Sequence, residues 1–230
     1  MKTIGIIGGM SWESSAEYYR LINQQVKARL GPTHSAELVM YSLDCDTVAQ
    51  LELEDRWSEL AVVLVDAAQR LEHAGAEFIL LASNTAHKVA DDVQAAIKIP
   101  TLHIADATAE AIAAASMHTV GLLGTEFVMQ QDFYRDRLRD RGIDVVIPDE
   151  AARNCVHDII YNELCAGQLL APSRERLRKI ILDLQRAKAE AVVLACTELP
   201  LLIRPEDSAV KLFDTLAIHV EKAVTLALEA

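Results

Sequence analysis

Two short turns of this 230-residue chain carry side chains able to move a proton or hold a small anion: Ser83-Asn84-Thr85, with His87 and Lys88 just after it, and Cys196-Thr197-Glu198. A thiolate is a good nucleophile and base, so Cys196 is the leading candidate for either task. A cysteine taken alone is more often a small core residue. Its place argues otherwise: Cys196 follows the apolar run 191–195 and precedes Glu198-Leu199-Pro200, a strand-to-helix turn. Helix N-terminal amides there favour the thiolate and lower a pKa that starts near about 8.5. Cys45, Cys155 and Cys165 lack that setting and read as packing residues.

The other candidates each have a structural reading beside the chemical one. Ser83, Asn84 and Thr85 are of the types that cap helices, and the sequence from Ala86 onward is helical in pattern. His87 and Lys88 are either helix surface or ligand contacts. Gly5-Ile6-Ile7-Gly8-Gly9-Met10-Ser11 is glycine-rich but has neither G-x-G-x-x-G nor a G-K-[ST] ending, so it is no nucleotide fingerprint. A tight strand-to-helix turn of this kind presents amides that suit a small carboxylate. Asp214, ahead of His219 in the last helix, reads as a cap.

Short Ile/Val-rich runs alternate with longer stretches of helical period, the pattern of parallel strands covered by crossover helices, so the class is α/β. Strands are expected at 3–7, 37–42, 78–82 and 101–105, and helices at 14–30, 57–74 and from the Ser83 turn to residue 98. The pattern then restarts. Lys2-Thr3-Ile4-Gly5-Ile6-Ile7-Gly8 returns as His118-Thr119-Val120-Gly121-Leu122-Leu123-Gly124, and Ala76-Glu77 through Thr85 returns as Ala189-Glu190 through Glu198. A weaker echo links Asp106 and Thr108 to Asp214-Thr215. The chain therefore reads as two pseudo-symmetric parallel-sheet α/β lobes, residues 1–100 with 207–230 and residues 101–206. Ligands of open α/β sheets bind beyond the carboxyl ends of the strands. The expected site is a cleft between the lobes, with Ser83 and Cys196 in equivalent places.

Composition narrows the function classes. Twenty-two basic against 34 acidic residues leave a net charge of -12, which argues against a nucleic-acid or anionic-membrane partner. No apolar run approaches the roughly 20 residues that span a bilayer. The short apolar start is no signal-peptide core, and four scattered cysteines without C-x-x-C spacing suggest neither a disulfide framework nor a metal site. A reducing cytoplasm fits.

Several of these stretches, in order, resemble the cofactor-independent aspartate/glutamate racemases, in particular their broad-acting bacterial branch. They are Ile4 through Ser14, Ser83-Asn84-Thr85-Ala86-His87-Lys88-Val89-Ala90, Leu122-Leu123-Gly124-Thr125, Cys196-Thr197-Glu198 and Phe213-Asp214-Thr215. The resemblance implies a two-lobed fold, a homodimer, a small amino-acid substrate and no pyridoxal phosphate or metal. It implies one cysteine from each lobe exchanging the α-proton on opposite faces of the substrate, the second-lobe cysteine acting on the L-enantiomer. Here the second is Cys196, while Ser83 stands where the family has its first. A hydroxyl is a far weaker acid than a thiol, so the implied pair is asymmetric. Met10, Ser11, Asn84, Thr85, Thr125 and Thr197 are the implied substrate contacts, with Glu198, His87 and Lys88 as further candidates. Arg56, Lys88 and Arg153 are candidates for a side-chain carboxylate. Two alternatives fit the same residues: another cysteine-dependent isomerase or decarboxylase of the superfamily, and a dicarboxylate-binding protein without turnover.

Overall fold

The structure is a computed structural model that describes residues 1–229. Fully buried Ile4, Ile6 and Ile7 explain why the N-terminal run becomes a central strand, since a strand covered on both faces needs no polar alternation. Each such side chain contributes about 1.5–3 kcal/mol when removed from water.

The chain divides into two units, one made of residues 1–104 and 219–230 and the other of residues 105–218. In the first, β1 (Ile4–Gly8) leads into α1 (Trp12–Leu30), β2 (Leu38–Ser42), α2 (Cys45–Leu53), α3 (Trp57–His73) and β3 (Phe78–Leu81). A 3₁₀ turn (Thr85–Val89) and α4 (Ala90–Ala96) follow. The sheet is parallel, in the order β2-β1-β3. Leu60, Leu64 and Leu71 of α3 are buried against Ile7, Ile79 and Leu81.

The second unit starts within α5 (Ile104–Ala114) and continues through β4 (Thr119–Gly124), α6 (Glu126–Gln130), α7 (Asp132–Arg139), β5 (Asp144–Val146) and α8 (Glu150–Asp158). A π-helical turn (Ile159–Glu163) and a 3₁₀ turn (Leu164–Ala166) precede α9 (Ala171–Arg186) and β6 (Ala191–Ala195). Then come α10 (Leu199–Leu202), a 3₁₀ turn (Pro205–Asp207), β7 (Lys211–Asp214) and the first residues of α11 (Thr215–Leu228), which from His219 onward belongs to the first unit. Its parallel sheet runs β5-β4-β6-β7.

The repeat is visible in equivalent contacts. The Glu77 carboxylate accepts from Thr3 N at 2.7 Å, and that of Glu190 accepts from His118 N and Thr119 N at 2.7 and 2.8 Å. Those two amides hold the Glu190 carboxyl below its usual pKa.

Three sequence expectations need correction. Residues 101–105 form no strand: Thr101 makes a single parallel bridge to Ile79, and helix starts at Ile104. Beyond that bridge, side chains satisfy the backbone, with His219 Nε2 donating to Leu102 O at 2.9 Å and His87 Nε2 accepting from Ile104 N at 3.2 Å. Residues 207–218, expected in the first lobe, fall in the second unit because β7 pairs with β6. The helix expected from the Ser83 turn to residue 98 is split into the 3₁₀ turn and α4. No expectation covered α2, which places Cys45 at a helix start behind Asp44.

No helix among the described residues is long and apolar enough to cross a membrane.

Candidate active site

The glycine turn after β1 is closed by its own side chains. Ser11 caps α1, its Oγ accepting from Ser14 N at 3.1 Å. Ser15 Oγ accepts from Gly9 N at 2.8 Å and donates to Ser11 O at 2.9 Å. Gly9 N is thereby already used within the turn. Gly9 adopts φ 82°, and a Cβ there would lie 2.0 Å from Leu43 O. Only glycine fits. Met10 packs on the hydrophobic cluster of the first unit.

After β3, the half-buried Ser83 orients its Oγ by accepting from Ala86 N at 3.3 Å. An oxygen that accepts one hydrogen bond still has its own hydrogen to donate. Asn84 and Thr85 are buried in the same turn, and Asn84 makes no side-chain capping bond. His87 is buried, and both its nitrogens meet backbone groups: Nδ1 lies 2.6 Å from Ser83 O and Nε2 accepts from Ile104 N. A carbonyl only accepts, so the proton is on Nδ1. Lys88 turns to other company. Its Nζ lies 3.7 Å from the Trp57 ring centroid and 3.9 Å from Asp55, and partial burial lowers its pKa against the pull of Asp55.

In the second unit Thr125 caps α6, Oγ1 accepting from Val128 N at 3.4 Å. His157 Nδ1 accepts from the next amide, Glu126 N, at 3.2 Å.

Cys196 directly follows β6 and is 6% exposed, within the hydrophobic cluster that includes Leu199 and Leu202. Its polar neighbour is Glu198, also buried. Cys196 Sγ donates to Glu198 Oε2 at 3.1 Å, and Thr197 Oγ1 donates to the same oxygen at 2.9 Å. Burial, and then the negative charge of Glu198, push the Cys196 thiol well above its ordinary pKa. The sequence expectation of a lowered pKa is reversed. The helix that should stabilise the thiolate, α10, has only four residues, and the charge beside the sulfur has the wrong sign. The resting group is a thiol hydrogen-bonded to a carboxylate.

Among the guanidinium candidates, Arg56 is bound by Glu54 and Glu59, which raise its pKa. Arg153 donates to Pro148 O at 2.8 Å. Asp214 caps α11 as expected, accepting from Leu216 N and Ala217 N. Cys155 and Cys165 pack on the cluster of the second unit.

Sequence reasoning missed Ser15, whose hydroxyl closes the glycine turn, and the burial of His219, which lies 0% exposed with Tyr18. A serine four residues into a helix pattern, or a histidine in a mainly apolar helix, carries no signal of its partner.

Comparison with known proteins places this geometry among relatives. Residues 7–223 match the family model for Asp/Glu/hydantoin racemases. The chain is 25% identical over 96% of its length to the broad specificity amino-acid racemase RacX of Bacillus subtilis (strain 168), covering 96% of that protein. A crystal structure of a candidate Asp/Glu racemase from Yersinia pestis superposes with TM-score 0.93 at 47% identity, each chain covered completely. An aspartate racemase homologue from Pyrococcus horikoshii OT3 gives TM-score 0.86 at 38% identity, again with complete coverage.

Proposed function

We propose that this chain, which belongs to the Asp/Glu/hydantoin racemase family and is an enzyme of the racemase type, exchanges the α-proton of aspartate or glutamate without pyridoxal phosphate, using Cys196 and Ser83 as an unequal pair. The observation that carries this reading is the thiol–carboxylate contact at Cys196, in a turn equivalent to that of Ser83. Both turns lie past the carboxyl end of a strand that pairs with the first strand of its unit.

In this reading Glu198 Oε2 takes the proton of the Cys196 thiol as the L-substrate settles. The thiolate then removes the α-proton: the Cα–H bond breaks, an S–H bond forms, and the electron pair spreads into the α-carboxylate. Ser83 Oγ delivers a proton to the opposite face and is reprotonated from solvent, while Glu198 returns its proton to solvent. Thr197, Thr125, Asn84, Thr85, Ser11 and Met10 surround the substrate's polar groups, and charge-assisted hydrogen bonds of about 1.5–3 kcal/mol each hold it. A homodimer completes the reading, to be checked by solution mass.

Enantiomers have equal free energy in water, so a racemase has equal kcat/KM in the two directions. An unequal pair shows itself instead as exchange without inversion: Cys196 takes the proton, trades it with solvent and returns it to the same face. Proton NMR of L-aspartate and L-glutamate in deuterated water tests this. Loss of α-hydrogen faster than D-product appears supports the pair. Equal rates would refute its asymmetry, and silence with both substrates would refute the acidic-substrate assignment.

A further inference from the structure

The first unit buries three imidazoles that the proposed chemistry does not use: His87, His103 and His219. The rings of His87 and His103 lie 4.4 Å apart between centroids, and those of His87 and His219 lie 5.9 Å apart. Nitrogens of His87 and His219 bind backbone at the places where the chain changes unit. It leaves the first unit between residues 104 and 105 and returns between 218 and 219. On the way out, Leu102 O accepts from His219 Nε2 and Ile104 N donates to His87 Nε2. On the way back, His219 is the first residue of the returning segment.

Each contact fixes a tautomer. His219 Nε2 faces a carbonyl, so it bears the proton, and its Nδ1 accepts from Tyr18 Oη at 2.8 Å. His87 is the opposite: Nδ1–H donates to Ser83 O at 2.6 Å, and Nε2 is the acceptor. One imidazole therefore joins the backbone of Ser83 to the outgoing connector, and its neighbour joins that connector to α11.

We propose that His87 is a positioning residue for Ser83, holding the turn in register with the connector at residues 102–104, and that His219 anchors that connector. The proposal rests on the functional reading above, because it assigns His87 to the face of the substrate served by Ser83. It deepens that reading by separating the two half-reactions. Loss of the His87 donor impairs proton delivery by Ser83 and leaves the Cys196 half-reaction in place.

The test uses two substitutions that each keep one half of the ring's hydrogen bonding. His87→Asn retains a donor at the place of Nδ1, and His87→Gln retains an acceptor at the place of Nε2. With L-aspartate in deuterated water, His87→Gln should raise the ratio of α-hydrogen loss to D-product by about fivefold or more, and His87→Asn should keep it within about twofold of the unsubstituted protein. Equal loss of both rates in His87→Gln, at unchanged ratio, is what a merely structural role gives and overturns the proposal. An unsubstituted protein that neither exchanges nor inverts sinks the functional reading instead. A second measurement needs no turnover: ¹⁵N spectra of the imidazoles should show Nδ1–H at His87 and Nε2–H at His219. The reverse tautomer at either ring overturns the brace.

Discussion

Cys196 Sγ and Glu198 Oε2 are 3.1 Å apart, the sulfur donating, both residues being buried. A carboxylate in that position has two opposed effects. Its charge disfavours the thiolate while the site is empty, and its lone pair offers the thiol proton somewhere to go. Glu198→Gln separates them. The thiol should ionise at lower pH, read by alkylation rate against pH, while α-hydrogen loss from the L-substrate should fall by about 10²- to 10⁴-fold. Exchange that survives the substitution unchanged would remove Glu198 from the reaction.

The two proton-handling residues should differ in what their replacement does. Ser83→Cys should speed inversion relative to α-hydrogen loss, since a thiol is much the better proton donor and base. Cys196→Ala should abolish exchange from the L-substrate altogether. An unaltered ratio in Ser83→Cys would count against placing residue 83 at the second face.

The glycine turn should be intolerant for steric reasons that melting temperatures can read. Gly9→Ala must adopt φ 82° and also drive its Cβ into Leu43 O. Gly75→Ala meets only the first problem, with φ 94° and nothing within 4 Å of the added carbon. The first should cost more than about 2 kcal/mol, lowering Tm by roughly 5 °C or more, and the second clearly less. Equal losses would mean that the contact with Leu43 relaxes freely.

Acid should weaken the fold through His219. Burial lowers its pKa to about 4, partly offset by the hydrogen bond to Leu102 O. The unfolded chain, with an ordinary imidazole near about 6.5, binds that proton first. The stabilisation from this residue is thus complete above about pH 6.5 and is lost as pH falls towards 4, a change on the order of 3 kcal/mol. Chemical denaturation at pH 7 and pH 4.5 should show the loss, and His219→Gln should show a smaller one. A fall of the same size in both proteins would assign the effect to other groups.

Much of the architecture was legible because it rests on local, repeated signals. The buried runs at Ile4–Gly8 and Thr119–Gly124 announce themselves by composition, and Ala-Glu recurs before the third strand of each unit, although the matching carboxylate contacts of Glu77 and Glu190 emerge only in the structure. Asp214 capped a helix as its type suggests. What escaped was set by tertiary partners. Nothing near Thr101 reveals that imidazoles from residues 87 and 219 take the place of a strand ladder. The state of Cys196 was misread for a related reason. A strand-to-helix turn was visible, but the brevity of α10 and the inward aim of Glu198 were not.

The division of the chain has a consequence for biogenesis. Residues 105–218 form one uninterrupted unit, whereas the other unit needs α11 from His219 onward, with Lys2 N donating to Ala227 O at 2.8 Å. A ribosome therefore presents the N-terminal sheet first, yet that sheet waits without its closing helix until all of the inserted unit has been translated. The later-encoded unit is contiguous and complete in the chain before the earlier one, whose N-terminal sheet lacks α11 until then.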